Sequence, residues 1–108
     1  MTDLEAAFLF LCRAHGLPEP VSQYAVPGVP RKRWDFGWGP PYCIVVELQG
    51  GTYQRKRTGH TTGKGVRRDC QKLNDATSAG YRQYAATTDM VREGCPHLMA
   101  ALERDLAA

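Results

Sequence analysis

The chain has 108 residues, of which 43% are hydrophobic and 23% are charged, a composition typical of a soluble globular protein. This length supports one hydrophobic core, so we predict a single domain over residues 1–108. No apolar run approaches the roughly 20 residues that a membrane-spanning helix needs, so we expect no membrane partner. The amino terminus has acidic residues before its apolar stretch and no basic leader, which favours a cytoplasmic protein.

The charge is unevenly distributed along the chain. The formal net charge is +3, yet residues 31–72 carry a net +7 (ten basic less three acidic) and the remainder a net −4 (four basic less eight acidic). Basic clusters lie on both sides of an acidic pair, Asp35 and Glu47, that we expect to be buried. This pattern favours binding of a polyanion close to carboxylates. A solvated charged surface is the alternative.

The spacing of the four cysteines does not indicate structural zinc, because they are far apart and form no C-x-x-C pair. Three of them lie within apolar patterns, where a free thiol behaves as a small hydrophobic group. We therefore predict reduced, buried thiols at Cys12, Cys43, Cys70 and Cys95.

The first predicted element is a helix over residues 3–15, because Thr2 or Asp3 can cap it and apolar residues recur at helical spacing until Gly16. Glu5 lies at the edge of this apolar stripe, where a solvated acid is the simple interpretation. A proline-rich loop follows over residues 18–30, with a short extended piece at 21–25.

Two strands follow, over residues 33–38 and 42–49, and the turn at 39–41 joins them into an antiparallel hairpin. Residues 42–49 have a continuous apolar centre, which predicts a strand covered on both faces. In residues 33–38, alternation places three aromatic residues on one face: Trp34, Phe36 and Trp38.

The hairpin brings two acidic residues together. If the turn centres near Pro40 and Pro41, paired residue numbers sum to about 82, and Asp35 faces Glu47 with Cβ atoms about 5 Å apart. Gln49 lies on the same face as Glu47 because side chains alternate. Two carboxylates in a half-buried sheet repel each other, so a cation between them is expected, and a divalent metal ion fits.

The second half of the chain begins with a basic loop over 52–64, followed by a helix over 65–79. The apolar stripe of that helix predicts a buried face formed by Val66, Cys70, Leu73 and Thr77. Asp69 and Lys72 lie on its flank. A strand over 81–87 comes next, then a short helical turn capped by Thr88 or Asp89, and a last helix from Pro96 to about Leu106.

These segments together resemble the PD-(D/E)xK nuclease superfamily. Within it, the chain is similar to small bacterial and phage proteins related to very-short-patch repair endonucleases and to Holliday-junction-resolvase-like nucleases. The resemblance implies an α/β, restriction-endonuclease-like fold: a small mixed central sheet with an antiparallel hairpin, flanked by helices in the order α-β-β-(β)-α-β-α. It rests on LEAAFLFLCRAHGLPEP, RWDFGW, VVELQGG, GHTTGKG, DCQKLNDATSAGY and TTDMV.

The resemblance also implies a metal site. Asp35, Glu47 and the main-chain carbonyl of Leu48 would ligate Mg²⁺, for which Mn²⁺ can substitute, and Glu5 would approach from the first helix. The ion would polarise the scissile phosphate and lower the pKa of the attacking water.

One residue departs from the superfamily motif. Gln49 stands where lysine is usual, and an amide can orient a water but supplies no charge. By resemblance, Lys72 is the candidate replacement, against the alternative of a solvent-facing lysine. His60 resembles a histidine placed near the scissile phosphate, against the alternative of an ordinary loop histidine. The role of Asp69 is open, since it could fix a neighbouring cation or cap its helix.

Basic residues around the second helix are predicted to contact the DNA backbone without reading its sequence. They are Arg55, Lys56, Arg57, Lys64, Arg67 and Arg68. Gly63 and Gly65 would let backbone N–H groups approach a phosphate at the helix start.

The resemblance therefore implies a Mg²⁺-dependent DNA endonuclease acting in phage or bacterial DNA repair, recombination or processing, in the cytoplasm of a bacterial cell. A catalytically inactive DNA- or RNA-binding module is the alternative that Gln49 permits, and a small protein-interaction domain is a third. The preferred DNA structure is open at this stage. So is the oligomeric state, because a homodimer would suit paired cuts and a monomer would suit nicking.

Overall fold

The computed structural model describes residues 1–50 and 63–107. The loop predicted over residues 52–64 therefore lies almost wholly outside the described residues. No helix in the described part of the chain is long and apolar enough to cross a membrane. In chain order the elements are α1 (Asp3–Ala14), β1 (Val21–Tyr24), β2 (Trp34–Trp38), β3 (Ile44–Gln49), α2 (Gly63–Ser78), β4 (Arg82–Thr87), α3 (Thr88–Arg92) and α4 (Pro96–Asp105).

The strands form one mixed sheet in the order β1-β2-β3-β4. The first three strands are antiparallel, whereas β4 runs parallel to β3 and is reached through the crossover helix α2. Phe36 pairs with Val46 and Trp38 with Ile44, so paired numbers sum to 82. The predicted mixed α/β fold and the predicted hairpin register are both confirmed.

Strand β3 is buried on both of its faces, as its continuous apolar centre predicted. Ile44 and Val46 pack into a cluster built mainly from α1 and α4, with Phe8 and Met99 among its buried members. Val45 packs on the other face, in a second cluster. The strand that carries Glu47 is therefore held rigidly from both sides.

The second cluster differs from the prediction at Trp34. Strict alternation placed Trp34 beside Phe36 and Trp38, but Trp34 packs instead with Val45 and Tyr81. The pairing of β1 with β2 is interrupted next to Trp34, since Gln23 and Asp35 are not paired and Gln23 has a left-handed backbone (φ 52°). The interrupted alternation turns the Trp34 ring to the face that α2 covers.

Helix α2 also differs from the prediction, because the face it turns to the sheet is not its apolar stripe. Val66 and Leu73 are 50% and 44% exposed, and Cys70 and Thr77 are exposed as well. The residues that are buried or half-buried lie on a different face: Gly65, Asp69, Lys72, Asp75 and Ala76. The inward face of α2 is therefore partly charged.

A pair of tyrosines connects β1 to the segment that enters β4. The hydroxyl oxygens of Tyr24 and Tyr81 are 2.6 Å apart. The Tyr24 ring lies across Gly37, where an added Cβ would approach the Tyr24 Cγ to 2.5 Å. Only glycine fits at this position, so Gly37 allows the edge strand to close over the second cluster.

The four thiols are free and lie in different environments. Cys12 and Cys95 are buried, Cys43 is half-buried and Cys70 is exposed on α2. The prediction of buried thiols is therefore right for Cys12 and Cys95 and wrong for Cys70, because the apolar stripe of α2 faces outward. Burial raises the pKa of Cys12 to about 12, and the thiolate is the reactive form.

We expect a thiol reagent such as DTNB to modify Cys70 rapidly in the native protein, and to modify Cys12 and Cys95 only after denaturation. Mass spectrometry of the labelled peptides measures the order. Cys70→Ser is the matched control and should remove the rapid phase. Labelling of Cys12 as fast as Cys70 in the native state would contradict the burial described here.

Candidate functional site

The first acidic residue of the site, Glu5, is placed by the cap of α1. The Thr2 backbone N–H donates to Glu5 Oε1 (2.8 Å) and the Glu5 N–H donates to Thr2 Oγ1 (3.1 Å), a reciprocal capping box. The side-chain amide of Gln23 donates to Glu5 Oε2 (3.3 Å). The apolar stripe of α1 predicts a solvated edge acid at Glu5, whereas T-x-x-E at the helix start is the signal for the capping box.

Asp35 and Glu47 are connected through the backbone of the two strands that carry them. The Asp35 N–H donates to Glu47 Oε1 (3.1 Å), and the Leu48 N–H donates to Asp35 Oδ2 (2.7 Å). Each carboxylate thus accepts a hydrogen bond from the main chain of the opposite strand. The two acids therefore lie close together, although the regular pairing of β2 with β3 ends at Phe36 and Val46.

Lys72 reaches this pair from the inward face of α2. Its Nζ donates to Glu47 Oε2 at 2.8 Å, and the side chains of Lys72 and Glu47 are only 19% and 17% exposed. A charge buried to this degree is stabilised only when it is paired. The alternative of a solvent-facing Lys72 does not hold in this structure.

The Trp34 ring forms the other side of the lysine's environment. Lys72 Nζ lies 5.0 Å from the ring centroid, within the range of a cation–π interaction. The Trp34 indole N–H donates to Gln83 Oε1 at 2.8 Å. Trp34 is fully buried, and the alternation pattern gives no signal for its contact with Lys72.

A cavity of about 460 Å³ opens beside the acids and is lined by Glu5, Asp35 and Leu48, together with Thr2, Asp3, Leu4, Gly50 and Thr88. The pKa of Asp35 is raised to about 6, chiefly by burial; the negative charges of Glu47 and Glu5 contribute to the rise, and the Leu48 N–H and the Lys72 charge oppose it. The cavity therefore has a concentration of negative charge at its wall.

The donor set can be tested against the predicted metal ion. Within residues 1–50 and 63–107, no group of three histidine, cysteine or acidic side chains is arranged to hold an ion. However, Mg²⁺ commonly keeps several waters and needs only one or two protein carboxylates. Glu5 and Asp35 line one cavity and supply hard oxygen donors, so the residues present fit a partly hydrated Mg²⁺ or Mn²⁺.

Gln49 and Asp69 lie at the margins of the site. Gln49 is half-buried at the end of β3, where it pairs with Thr87 of β4. It lies two residues after Glu47 on the same strand. Asp69 is half-buried one turn before Lys72 on the inward face of α2. Neither residue is without an interaction partner in the structure.

Several predicted DNA-contacting residues lie on the exposed surface of α2, namely Lys64, Arg67 and Arg68. A second basic segment lies beside α2, because Lys32 forms an ion pair with Asp75 and is flanked by the exposed Arg31 and Arg33. The other predicted contacts lie outside the described residues: Arg55, Lys56, Arg57 and His60.

Comparison with protein-family models gives no match, and comparison with curated proteins gives none either. Among solved structures, the fold is similar to that of the catalytic domain of the homing endonuclease I-Bth0305I, with a TM-score of 0.69 over 97% of this chain and 94% of that domain. The two sequences are 17% identical. The chain therefore has the mixed α/β fold of that domain, and the roles of its residues have to be argued from its own geometry.

We expect the contact between Glu47 and Lys72 to give a coupling of about 0.5 to 3 kcal/mol in the free energy of unfolding. The measurement is a double-mutant cycle with Glu47→Gln and Lys72→Met in urea. Lys72→Met alone leaves a half-buried carboxylate without its ammonium partner.

The matched control is the ion pair of Arg13 with Glu19, whose side chains are 61% and 56% exposed. Its coupling should be clearly smaller, because solvent screens exposed charges. Equal coupling in the two cycles would show that burial does not strengthen the contact between Glu47 and Lys72.

Proposed function

We propose that the protein is a metal-dependent endonuclease that hydrolyses phosphodiester bonds in DNA and belongs to the PD-(D/E)xK superfamily. One observation carries the proposal: the Lys72 ammonium is bonded to Glu47, and Glu47 is bonded through the main chain to Asp35, at the edge of a cavity that Glu5 also lines. An acidic group with one buried lysine is the chemistry that phosphate hydrolysis needs. The fold shared with a homing endonuclease catalytic domain supports it.

Glu5, Asp35 and Glu47, with the main-chain carbonyl of Leu48, would hold Mg²⁺ or Mn²⁺. The ion, when bound, supplies polarisation of the scissile phosphate and a lower pKa for a coordinated water. The raised pKa of Asp35 supports this assignment: burial, and secondarily the charges of Glu47 and Glu5, disfavour its carboxylate, and a cation would stabilise it.

Lys72 supplies the positive charge that Gln49 lacks. Its ammonium lies within hydrogen-bond distance of the carboxylate group, so it can orient the attacking water and stabilise negative charge on the phosphate in the transition state. The amide of Gln49 can hold a water but cannot take up its proton. The positive charge that acts in catalysis thus lies on α2, at Lys72, and not on β3.

DNA would lie across the exposed cations of α2, with Lys64, Arg67 and Arg68 contacting phosphates. Arg55, Lys56, Arg57 and His60 would add to this surface, His60 at the scissile phosphate. Such contacts supply affinity and register without sequence information. The proposed biological setting is DNA repair, recombination or processing in a bacterial cell, where a phage could also encode such an enzyme.

We expect Glu47→Gln, Asp35→Asn and Lys72→Met each to lower the rate of DNA cleavage by at least about 100-fold, since each removes a group acting at the phosphate or the water. The assay uses Mg²⁺ or Mn²⁺ with supercoiled, linear, mismatched and branched DNA. Cleavage should stop when a chelator is added.

Glu103→Gln is the control for that assay, because Glu103 is an exposed acid on α4 that contacts His15. Cleavage that persists in Glu47→Gln at the rate of Glu103→Gln would point to a contaminating nuclease. If no DNA is cut, yet DNA binding is salt-sensitive and calorimetry finds no Mn²⁺ binding, the inactive nucleic-acid-binding module is the correct alternative.

We expect the double variant Arg67→Ala and Arg68→Ala to bind DNA more weakly and to reduce the slope of log K against log[salt] by roughly 1 for each phosphate that is no longer neutralised. Arg13→Ala, on α1 and paired with Glu19, is the matched control and should leave the slope unchanged. An unchanged slope in the double variant would show that DNA does not cross this face of α2.

A further inference from the structure

The Lys72 ammonium lies between two different partners. On one side is the Glu47 carboxylate, 2.8 Å from Nζ, and on the other is the Trp34 ring, with its centroid 5.0 Å away. Glu47 is also bonded to the backbone of Asp35. The lysine thus has one partner that belongs to the acidic group and one that does not.

The two partners would respond differently to a bound metal ion. A carboxylate that ligates a cation gives up electron density to it and attracts a neighbouring ammonium less strongly. The attraction between an ammonium and the face of an indole comes from the ring quadrupole and does not depend on the carboxylate. A lysine on a flexible four-carbon chain would otherwise be free to leave the site at the moment its charge is needed.

The Trp34 ring is itself held in place. Its side chain is fully buried, it packs with Val45 and Tyr81 in the cluster beneath α2, and its N–H donates to Gln83 Oε1 at 2.8 Å. The hydrogen bond fixes the rotation of the indole and therefore the direction of its face. The ring lies in the cluster that includes Ala76 of α2, and Phe36 lies in the other cluster.

We propose that Trp34 is a positioning residue for Lys72: its ring face holds the ammonium beside the phosphate site independently of Glu47, in compensation for the lysine that position 49 lacks. The inference rests on the proposed function, since it assigns Lys72 a task in hydrolysis. It adds a residue outside the acidic motif, and it gives Gln83 the task of orienting the ring.

The first experiment observes the interaction directly and needs no cleavage activity. Protein labelled with ¹³C at lysine Cε is compared by NMR in the wild type and in Trp34→Leu and Trp34→Phe, with Lys72→Arg used to assign the signal. The ring current of an aromatic face shields nuclei above it. The Lys72 signal should lie upfield of the exposed Lys64 signal, move to the Lys64 position in Trp34→Leu, and stay partly shifted in Trp34→Phe.

The second experiment measures whether the interaction matters for hydrolysis. Trp34→Leu should lower kcat by about 3- to 30-fold, the range expected when a cation–π interaction is removed, with little change in KM. Trp34→Phe keeps an aromatic face and should retain most of kcat. In a Lys72→Met background, Trp34→Leu should have no further effect on kcat, because Trp34 acts through Lys72.

Trp38→Leu is the matched control. Trp38 is also buried, at 3% exposure, and its indole N–H is bonded to the Pro18 carbonyl, but it lies in the cluster on the other face of the sheet. The Trp38→Leu variant should be destabilised to an extent similar to Trp34→Leu, but its kcat should be unchanged. An equal loss of kcat in Trp38→Leu, or additive effects of Trp34→Leu and Lys72→Met, would reduce Trp34 to a packing residue and overturn the proposal.

The two proposals fail in different ways. If the wild type cuts no DNA with either metal ion, the proposed hydrolysis is wrong, and the NMR signal still decides whether Trp34 holds Lys72. If the wild type cuts DNA but the Lys72 signal is unshifted, Trp34 has no positioning role and the endonuclease proposal stands.

Discussion

The ion pair between Lys72 and Glu47 joins the two halves of the structure. Both side chains are less than one-fifth exposed, and charges buried to this extent need a partner in a defined position. That requirement determines which face of α2 turns to the sheet. It also explains why the helix leaves Val66 and Leu73 exposed: the face with Lys72, the buried Gly65 and the small, buried Ala76 is the one that packs over the strands.

The same pair connects the fold to the acidic site through the hairpin. Glu47 can bond to Lys72 and to the Asp35 N–H at once only when β2 and β3 are paired in the observed register. A shift of one residue would turn Glu47 to the opposite face of β3 and break both hydrogen bonds. Burial of β3 on both faces makes such a shift costly, because it would also move Val45 and Val46 into the wrong clusters.

The sequence predicted the site best where short-range geometry decides it. The hairpin register follows from turn position and strand alternation, so Asp35 and Glu47 could be placed without a structure. The face that α2 turns to the sheet could not be predicted. An apolar stripe shows which residues are hydrophobic, but it does not show that Lys72 has a carboxylate partner in the sheet. The orientation of Trp34 was not predictable either, since strict alternation would place it in the cluster of Phe36 and the structure places it in the other cluster. The capping role of Glu5 was present in the T-x-x-E pattern and could have been found.

The positive charge beside Glu47 comes from Lys72 on α2, and Gln49 at the end of β3 carries none. A lysine on the strand would be fixed by the β3 backbone, with the same rigidity as Glu47. A lysine on α2 depends on the packing of a helix whose outer face is exposed and basic, and which would contact DNA. Arg67, Arg68 and Lys72 lie on the same helix. Under the proposed function, a phosphate bound by Arg67 or Arg68 on the outer face of α2 would therefore affect the position of the Lys72 ammonium on its inner face. In such an arrangement, the strand holds the acids and the helix brings the positive charge to them.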